Sequence, residues 1–208
     1  MRTLRSAILL LALAATAGGC APTQFRDTWR NPEARGLSLA SKTVVVSVQH
    51  ADEASRRSAE DALVAKLVSR GARGIASYTL GGVEMRDTSV AKEAVRRAGA
   101  NALLVMRLTG TRERVTSTMG AGMMGDPFFA RPWGFWGAGW GMAYAPMVQS
   151  EQIVTVETRL YQVADQSRLL WAGLSETTEP RRLDRMLLDV ARRAVDEMRK
   201  EGLLAAGN

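Results

Sequence analysis

The chain has 208 residues and a formal net charge of +7, with one cysteine, one histidine and 46% hydrophobic residues. That is enough for one domain with a real core and short of what two need. A lone imidazole with no second imidazole or free thiol beside it makes a poor metal site and cannot complete a His-rich triad, so no metal and no cofactor is expected.

The N-terminus reads first. Arg2 and Arg5 precede an apolar run from Ala7 to Ala15, which closes in Ala17-Gly18-Gly19 before Cys20. A basic end, an apolar middle and a small-residue close are the parts of a secretory signal. The run falls short of the ~20 apolar residues that span a bilayer, so residues 1–19 read as a cleaved signal. Ala17-Gly18-Gly19-Cys20 also resembles the lipobox of bacterial lipoproteins, with Ala at residue 17 where such boxes usually carry Leu. The resemblance implies that Cys20 is lipidated and becomes the mature N-terminus, and multiple acyl chains anchor stably where a single chain holds marginally. Ala21 resembles the outer-membrane sorting class, which implies an address on the inner leaflet facing the periplasm. Ordinary cleavage after Ala17 is the rival reading, and it leaves Cys20 a free thiol on a soluble exported protein. Export removes nucleic acid as a partner, although the charge would otherwise invite it.

Residues 20–41 are polar, carry Pro22, Pro32 and Gly36, and keep no sustained period, so they read as a tether. As a flexible coil, about 22 residues reach roughly 25 Å. Phe25 and Trp29, four apart, suit a short helical contact either with the domain or with lipid headgroups.

Residues 42–204 read as one α/β domain. Thr43 to Val48 is a β-branched run that suits a strand buried on both faces. Asp52 can cap a helix from Glu53, with Ala59, Ala62, Leu63 and Leu67 inward, Arg56, Arg57, Glu60 and Lys66 mostly elsewhere, and Gly71 as the stop. A short strand around Ile75 follows. A second helix runs from about Thr88, with Val90, Ala91, Ala94, Val95 and Ala98 inward, to Gly99. Ala102 to Leu108 is the strongest strand, and this tight alternation argues for parallel pairing with right-handed crossovers. Arg112, Glu113, Arg114 and Thr116 make its continuation polar on both faces, so it projects past the core. From Gln152 to Tyr161, Val154, Val156, Thr158 and Leu160 alternate with Thr155, Glu157 and Arg159 as in a half-buried strand. Arg168 to Glu176 returns as a strand, and Leu183, Met186, Leu187, Val190, Ala194 and Val195 stripe a closing helix that Gly202 ends. The expected fold is a single mixed-sheet domain, β-α-β-α-β, a long loop, then β-β-α. The arginine pairs 56-57, 96-97, 181-182 and 192-193 read as solvated helix faces, or as attraction to anionic headgroups or cell-wall polymers.

The lipobox, the Asn101 to Leu108 strand, a Gly- and aromatic-rich insertion, and Thr158-Arg159-Leu160-Tyr161 leading to Leu169-Leu170-Trp171-Ala172-Gly173 resemble a group of small bacterial envelope lipoproteins. Their general architecture is similar to the N-terminal domain of the Tol-system translocation protein and to the core of the curli-secretion lipoprotein. The resemblance implies a fold and an address, and it carries no catalytic residues.

Residues 119–148 are too long for a hairpin loop, and loops of this length are functional or disordered. They hold Phe128, Phe129, Trp133, Phe135, Trp136, Trp140 and Tyr144 among seven glycines, with few charges. Glycine on this scale opposes helix and strand, while so much aromatic surface favours leaving water. The segment can fold back on the sheet, enter the headgroup layer, or dock on a protein.

Catalytic signatures are weak. Gly137-Ala138-Gly139-Trp140-Gly141 is followed by Tyr144 and Pro146 in place of a helix that could hold a pyrophosphate. Ser175 lacks a nucleophile elbow, and His50 suits a surface or hydrogen-bonded structural role. Glu157, Glu176 and Asp184 can supply a carboxylate pair, though strand-face and cap roles explain them more simply. The expectation is a non-enzymatic, lipid-anchored binding or adaptor module whose insertion aromatics contact an envelope protein or cell-wall component. An envelope hydrolase using carboxylates and a carrier of an apolar molecule are the alternatives.

Overall fold

The computed structural model describes residues 23–81, 87–114, 151–163 and 168–205. Six strands form one mixed sheet: β1 (Thr23–Arg30), β2 (Thr43–Gln49), β3 (Arg73–Ala76), β4 (Ala102–Arg114), β5 (Glu151–Gln162) and β6 (Leu169–Thr178). Three α-helices accompany it: α1 (Glu53–Val68), α2 (Thr88–Arg97) and α3 (Leu183–Lys200). The sheet order is β1-β6-β5-β4-β2-β3, with β2 parallel to β3 and β4 and the other pairs antiparallel. The chain is therefore an α/β domain, as its pattern predicts.

The strand signals have simple causes. Val44 to Gln49 is buried throughout, because β2 lies between two strands and beneath helices on both faces. The first crossover steps from β2 to β3 and the second returns past β2 to β4, so keeping one hand puts their helices on opposite faces. α1 packs with α3 over Val44, Val46, Leu104, Met106 and Val156, while α2 sets Ala91, Ala94 and Val95 against Val45, Leu103, Val105 and Tyr161. Lys66 Nζ and Arg70 Nη2 reach Asp196 Oδ1 at 3.1 and 3.2 Å, tying α1 to α3. Helix ends follow the sequence signals: Asp52 Oδ2 accepts from the Ser55 N–H at 2.8 Å and Asp87 Oδ1 from the Ser89 N–H at 2.7 Å. Each helix closes on a glycine of positive φ, 82° at Gly71, 62° at Gly99 and 76° at Gly202.

Three expectations require correction. Residues 23–41 are not a tether: Thr23–Arg30 is the edge strand β1, antiparallel to β6, and the chain after it is docked. Asn31 accepts from the Glu33 N–H, donates Nδ2 to the Leu169 carbonyl at 3.0 Å and donates its own N–H to that of Leu170, while the Leu39 N–H reaches the Leu203 carbonyl at 2.9 Å. The composition misleads because an edge strand with a wet outer side needs no apolar run. Phe25 and Trp29 make no helical pair. A bulge between Phe25 and Asp27 reverses the alternation, so Phe25 packs on Trp171 under α3, with ring centroids 6.2 Å apart, whereas Trp29 faces the other side and is 41% exposed.

The other two corrections concern charge. Arg56 and Glu60 belong to the inward side of α1 and not to its wet side, with Glu60 fully buried. β5 is buried on both faces, Glu157 and Arg159 included, because the two charges sit on one face of one strand and neutralise each other. On α2, Val90 lies near the edge of the contact and is 37% exposed.

Candidate functional site

Cys20 and the predicted partner-binding aromatics Phe128, Phe129, Trp133, Phe135, Trp136, Trp140 and Tyr144 lie outside the described residues. Their attachment to the fold does not. β4 and β5 remain paired from Ala102↔Gln162 to Arg114↔Glu151, interrupted by one irregularity between Leu108 and Gly110. The strand expected to project past the core stays within the sheet to the Arg112–Ile153–Thr178 row, and only the last two β4–β5 pairs, Glu113↔Gln152 and Arg114↔Glu151, extend beyond β6 as a short arm. Neighbours brace it: Arg112 pairs with Glu176 of β6, and Arg26 Nε of β1 meets the other Glu176 oxygen at 3.0 Å. Near the arm's tip the Gln152 N–H donates to the Glu179 carboxylate, and the Glu179 N–H returns a bond to the Gln152 carbonyl at 2.8 Å. Glu179 takes a φ of 48° to do this, a conformation uncommon outside glycine.

On the face of the sheet away from α1 and α3, polar side chains form a buried strip. Gln49, Arg107, Glu157 and Leu174 are register partners across β2, β4, β5 and β6, and Arg159 lies one alternation along β5 from Glu157. Arg159 Nε and Nη2 meet Glu157 Oε1 at 2.6 and 2.5 Å, with both side chains about 5% exposed. Burial lowers the Arg107 pKa, and the Glu157 charge works against that shift. Burial likewise pushes the Tyr161 hydroxyl up, so it stays protonated.

A second polar node joins the carboxyl ends of β2 and β3, where parallel sheets place ligand sites. Glu60 Oε1 accepts from the Val48 N–H at 3.1 Å, the Ser77 hydroxyl at 2.8 Å and Arg56 Nη1 at 3.5 Å. Oε2 accepts from the Tyr78 N–H at 3.1 Å. Desolvation raises the Glu60 pKa, opposed by these donors. The Tyr78 hydroxyl donates to Asp61 Oδ1 at 2.7 Å, which raises its pKa, and Arg57 stacks over the Tyr78 ring at 5.2 Å. Chemically the node is a staple, since every donor is aimed at one carboxylate and that carboxylate ties α1 to two strand ends.

The residues singled out for catalysis are also engaged. His50 Nδ1 accepts from the Asp52 N–H at 3.1 Å, shaping the entry to α1. Glu157 is held by Arg159, Glu176 by Arg26 and Arg112, and Asp184 by Arg182 at 2.6 Å. The Arg182 hydrogen bond holds the Asp184 carboxyl below its ordinary value. Among the described residues no group of three or more His, Cys, Asp or Glu side chains is arranged to hold a metal ion. A shallow cavity of about 200 Å³ opens beside Leu37, Leu39, Lys42, Asn101 and Val163, smaller than the ~300 Å³ at which ligand pockets begin. Sequence reasoning missed the Glu60 staple and the Arg107–Glu157–Arg159 strip. For Glu60 a signal existed: Arg56, Glu60, Leu63 and Leu67 follow a 4-3-4 spacing on one helix face.

No protein-family model matches this chain, and no curated protein does. Among solved structures it is similar to a PelC dodecamer from Paraburkholderia phytofirmans, at 16% identity and a TM-score of 0.48, covering 89% of this chain and 99% of that one. It is also similar to a PDZ domain protein from Parabacteroides distasonis, at 13% identity and a TM-score of 0.40, covering 91% of this chain and 38% of that one.

Proposed function

We propose that the protein is an envelope lipoprotein, anchored through lipidated Cys20 at the inner leaflet of the outer membrane, that acts as a non-enzymatic binding or adaptor module. Its partner-binding residues are Phe128, Phe129, Trp133, Phe135, Trp136, Trp140 and Tyr144, and its partner is an envelope protein or cell-wall component. The lipobox supports the address. The braced β4–β5 arm carries the binding reading: it holds Arg114 and Glu151, which flank residues 115–150 in the chain, as directly opposed partners about 5 Å apart on the central strands of the sheet. The chain on either side of that aromatic segment is therefore fixed by sheet pairing and by the Glu176 and Glu179 contacts.

The hydrolase alternative draws no support from Glu157, Glu176 or Asp184, each of which spends its charge on arginine. Among the described residues, the cavity beside Leu39 is too small to support the apolar-carrier alternative. Photo-crosslinking in intact cells tests the adaptor reading. Replacing Trp133, Trp136 and Trp140 with Ala together is expected to abolish the crosslinked partner while leaving the protein folded and acylated. An unchanged crosslinking pattern in that variant overturns it.

A further inference from the structure

We infer that the domain stands end-on at the bilayer, with the β4–β5 arm end facing the phospholipid headgroups. The inference rests on acylation of Cys20 as proposed above, and on where β1 begins. Thr23, its first residue, shares a row across the sheet with Thr177, Val154 and Thr111, and its hydroxyl lies 2.9 Å from that of Thr177. This is the arm end. Only three residue steps separate Thr23 from Cys20, which at full extension is about 10 Å.

That distance decides the posture. β4 has 13 residues and so spans about 43 Å. The other end of the sheet, with exposed Lys42, Arg73, Arg168 and Arg35, is about four tether lengths from the anchored cysteine. It approaches the lipid only if the whole domain lies on its side. Charge gives little reason to do so, because attraction between those cations and anionic headgroups is screened beyond about 8 Å at physiological salt. On the flanks that a recumbent domain would present, several cations are ion-paired, as at Glu53–Arg57, Glu93–Arg96 and Asp189–Arg193, while Arg185 and Arg192 of α3 are exposed without an acidic partner among the described residues. At the arm end Arg26 and Arg112 share the single Glu176 carboxylate, which leaves that trio one positive charge. The short link sets the orientation. It also turns Arg114 and Glu151, the paired residues at the end of β4 and the start of β5, toward the membrane side of the domain.

The test uses the full chain, processed and acylated in cells, then reconstituted in phosphatidylethanolamine–phosphatidylglycerol vesicles doped with a headgroup-nitroxide lipid. A fluorophore is placed at Glu113→Cys on the arm or at Lys42→Cys at the opposite end, both exposed positions. Strong loss of fluorescence is expected at residue 113 and little at residue 42. Gln24→Cys and Arg73→Cys form a second pair with the same expectation, should either first variant fold poorly. Equal quenching at both ends, or stronger quenching at residues 42 and 73, on protein whose intact mass shows the acyl chains, overturns the orientation while leaving the lipoprotein reading standing. An unmodified Cys20 in the same mass spectrum overturns both.

Discussion

Removing the Glu60 carboxylate is the sharpest test of how the parallel half of the sheet is held together. Glu60→Ala leaves the Val48 and Tyr78 N–H groups, the Ser77 hydroxyl and the Arg56 guanidinium without this acceptor. An orphaned buried donor costs about 1–3 kcal/mol, and breaking a buried charge pair about 3–5 kcal/mol, so the variant is expected to lose about 3–5 kcal/mol. Against a typical total of about 5–15 kcal/mol, that is a large share. Glu60→Gln keeps the shape and removes the charge. Its oxygen belongs where Oε1 takes three donors, which turns its NH₂ against the Tyr78 N–H and costs about 1–3 kcal/mol for one lost bond. Urea unfolding followed by circular dichroism measures both. pH separates the carboxyl from its shape. Because burial raises the folded-state pKa of Glu60, its contribution is fully present below the ordinary value of 4.5 and is lost as pH rises through the folded value. The stability of the wild type relative to Glu60→Gln should therefore grow as pH falls from 7 toward 4.5. A Glu60→Ala loss below about 1 kcal/mol would refute the staple, whereas parallel profiles over that range would refute only the raised pKa.

At Gly173 an added Cβ would lie 2.8 Å from Phe25 Cε1 and closer still to Trp171, so Gly173→Ala should cost about 1–3 kcal/mol by overpacking. Thermal unfolding should show part of that loss recovered on adding Phe25→Leu, and strict additivity of the two changes would count against the contact. Glu157→Gln removes the buried partner of Arg159 and should cost about 3–5 kcal/mol in chemical denaturation, with Glu157→Leu plus Arg159→Met less damaging than the single change. A Glu157→Gln protein as stable as the parent would show that the pair holds nothing. Asp52 and Asp87 have pKa values lowered mainly by hydrogen bonds from Ser55 and Ser89. Their capping contribution is present above the ordinary value of 3.8 and is lost as pH falls through the folded value. The advantage of the wild type over Asp52→Asn or Asp87→Asn should shrink in acid, and an advantage that instead grew would reverse the assignment.

The parts of the fold legible in the sequence are those where one physical demand acts alone. β2 and the first half of β4 are buried on both faces, so apolar residues fill them without interruption. α1, α2 and α3 announce themselves through Asp52, Asp87 and the closing glycines, because unsatisfied helix ends need those residues whatever the helix packs against. Legibility fails where two demands compete. Arg56 and Glu60 carry the spacing of an inward stripe and the charge of an outward one. Spacing wins because the ends of β2 and β3 offer Glu60 donors that offset part of its desolvation. Glu157 and Arg159 look solvated one at a time and are buried as a pair. β1 hides most completely, since pairing on one side alone permits Arg26, Asp27 and Arg30 among its residues, and the bulge after Phe25 breaks the alternation that would betray a strand. That concealment has the largest functional consequence. As a tether of about 22 residues the segment would reach roughly 25 Å; with Thr23 already paired to Thr177, three residue steps separate Cys20 from the sheet, and under the acylation proposed above a link of about 10 Å would select which end of the molecule meets the membrane.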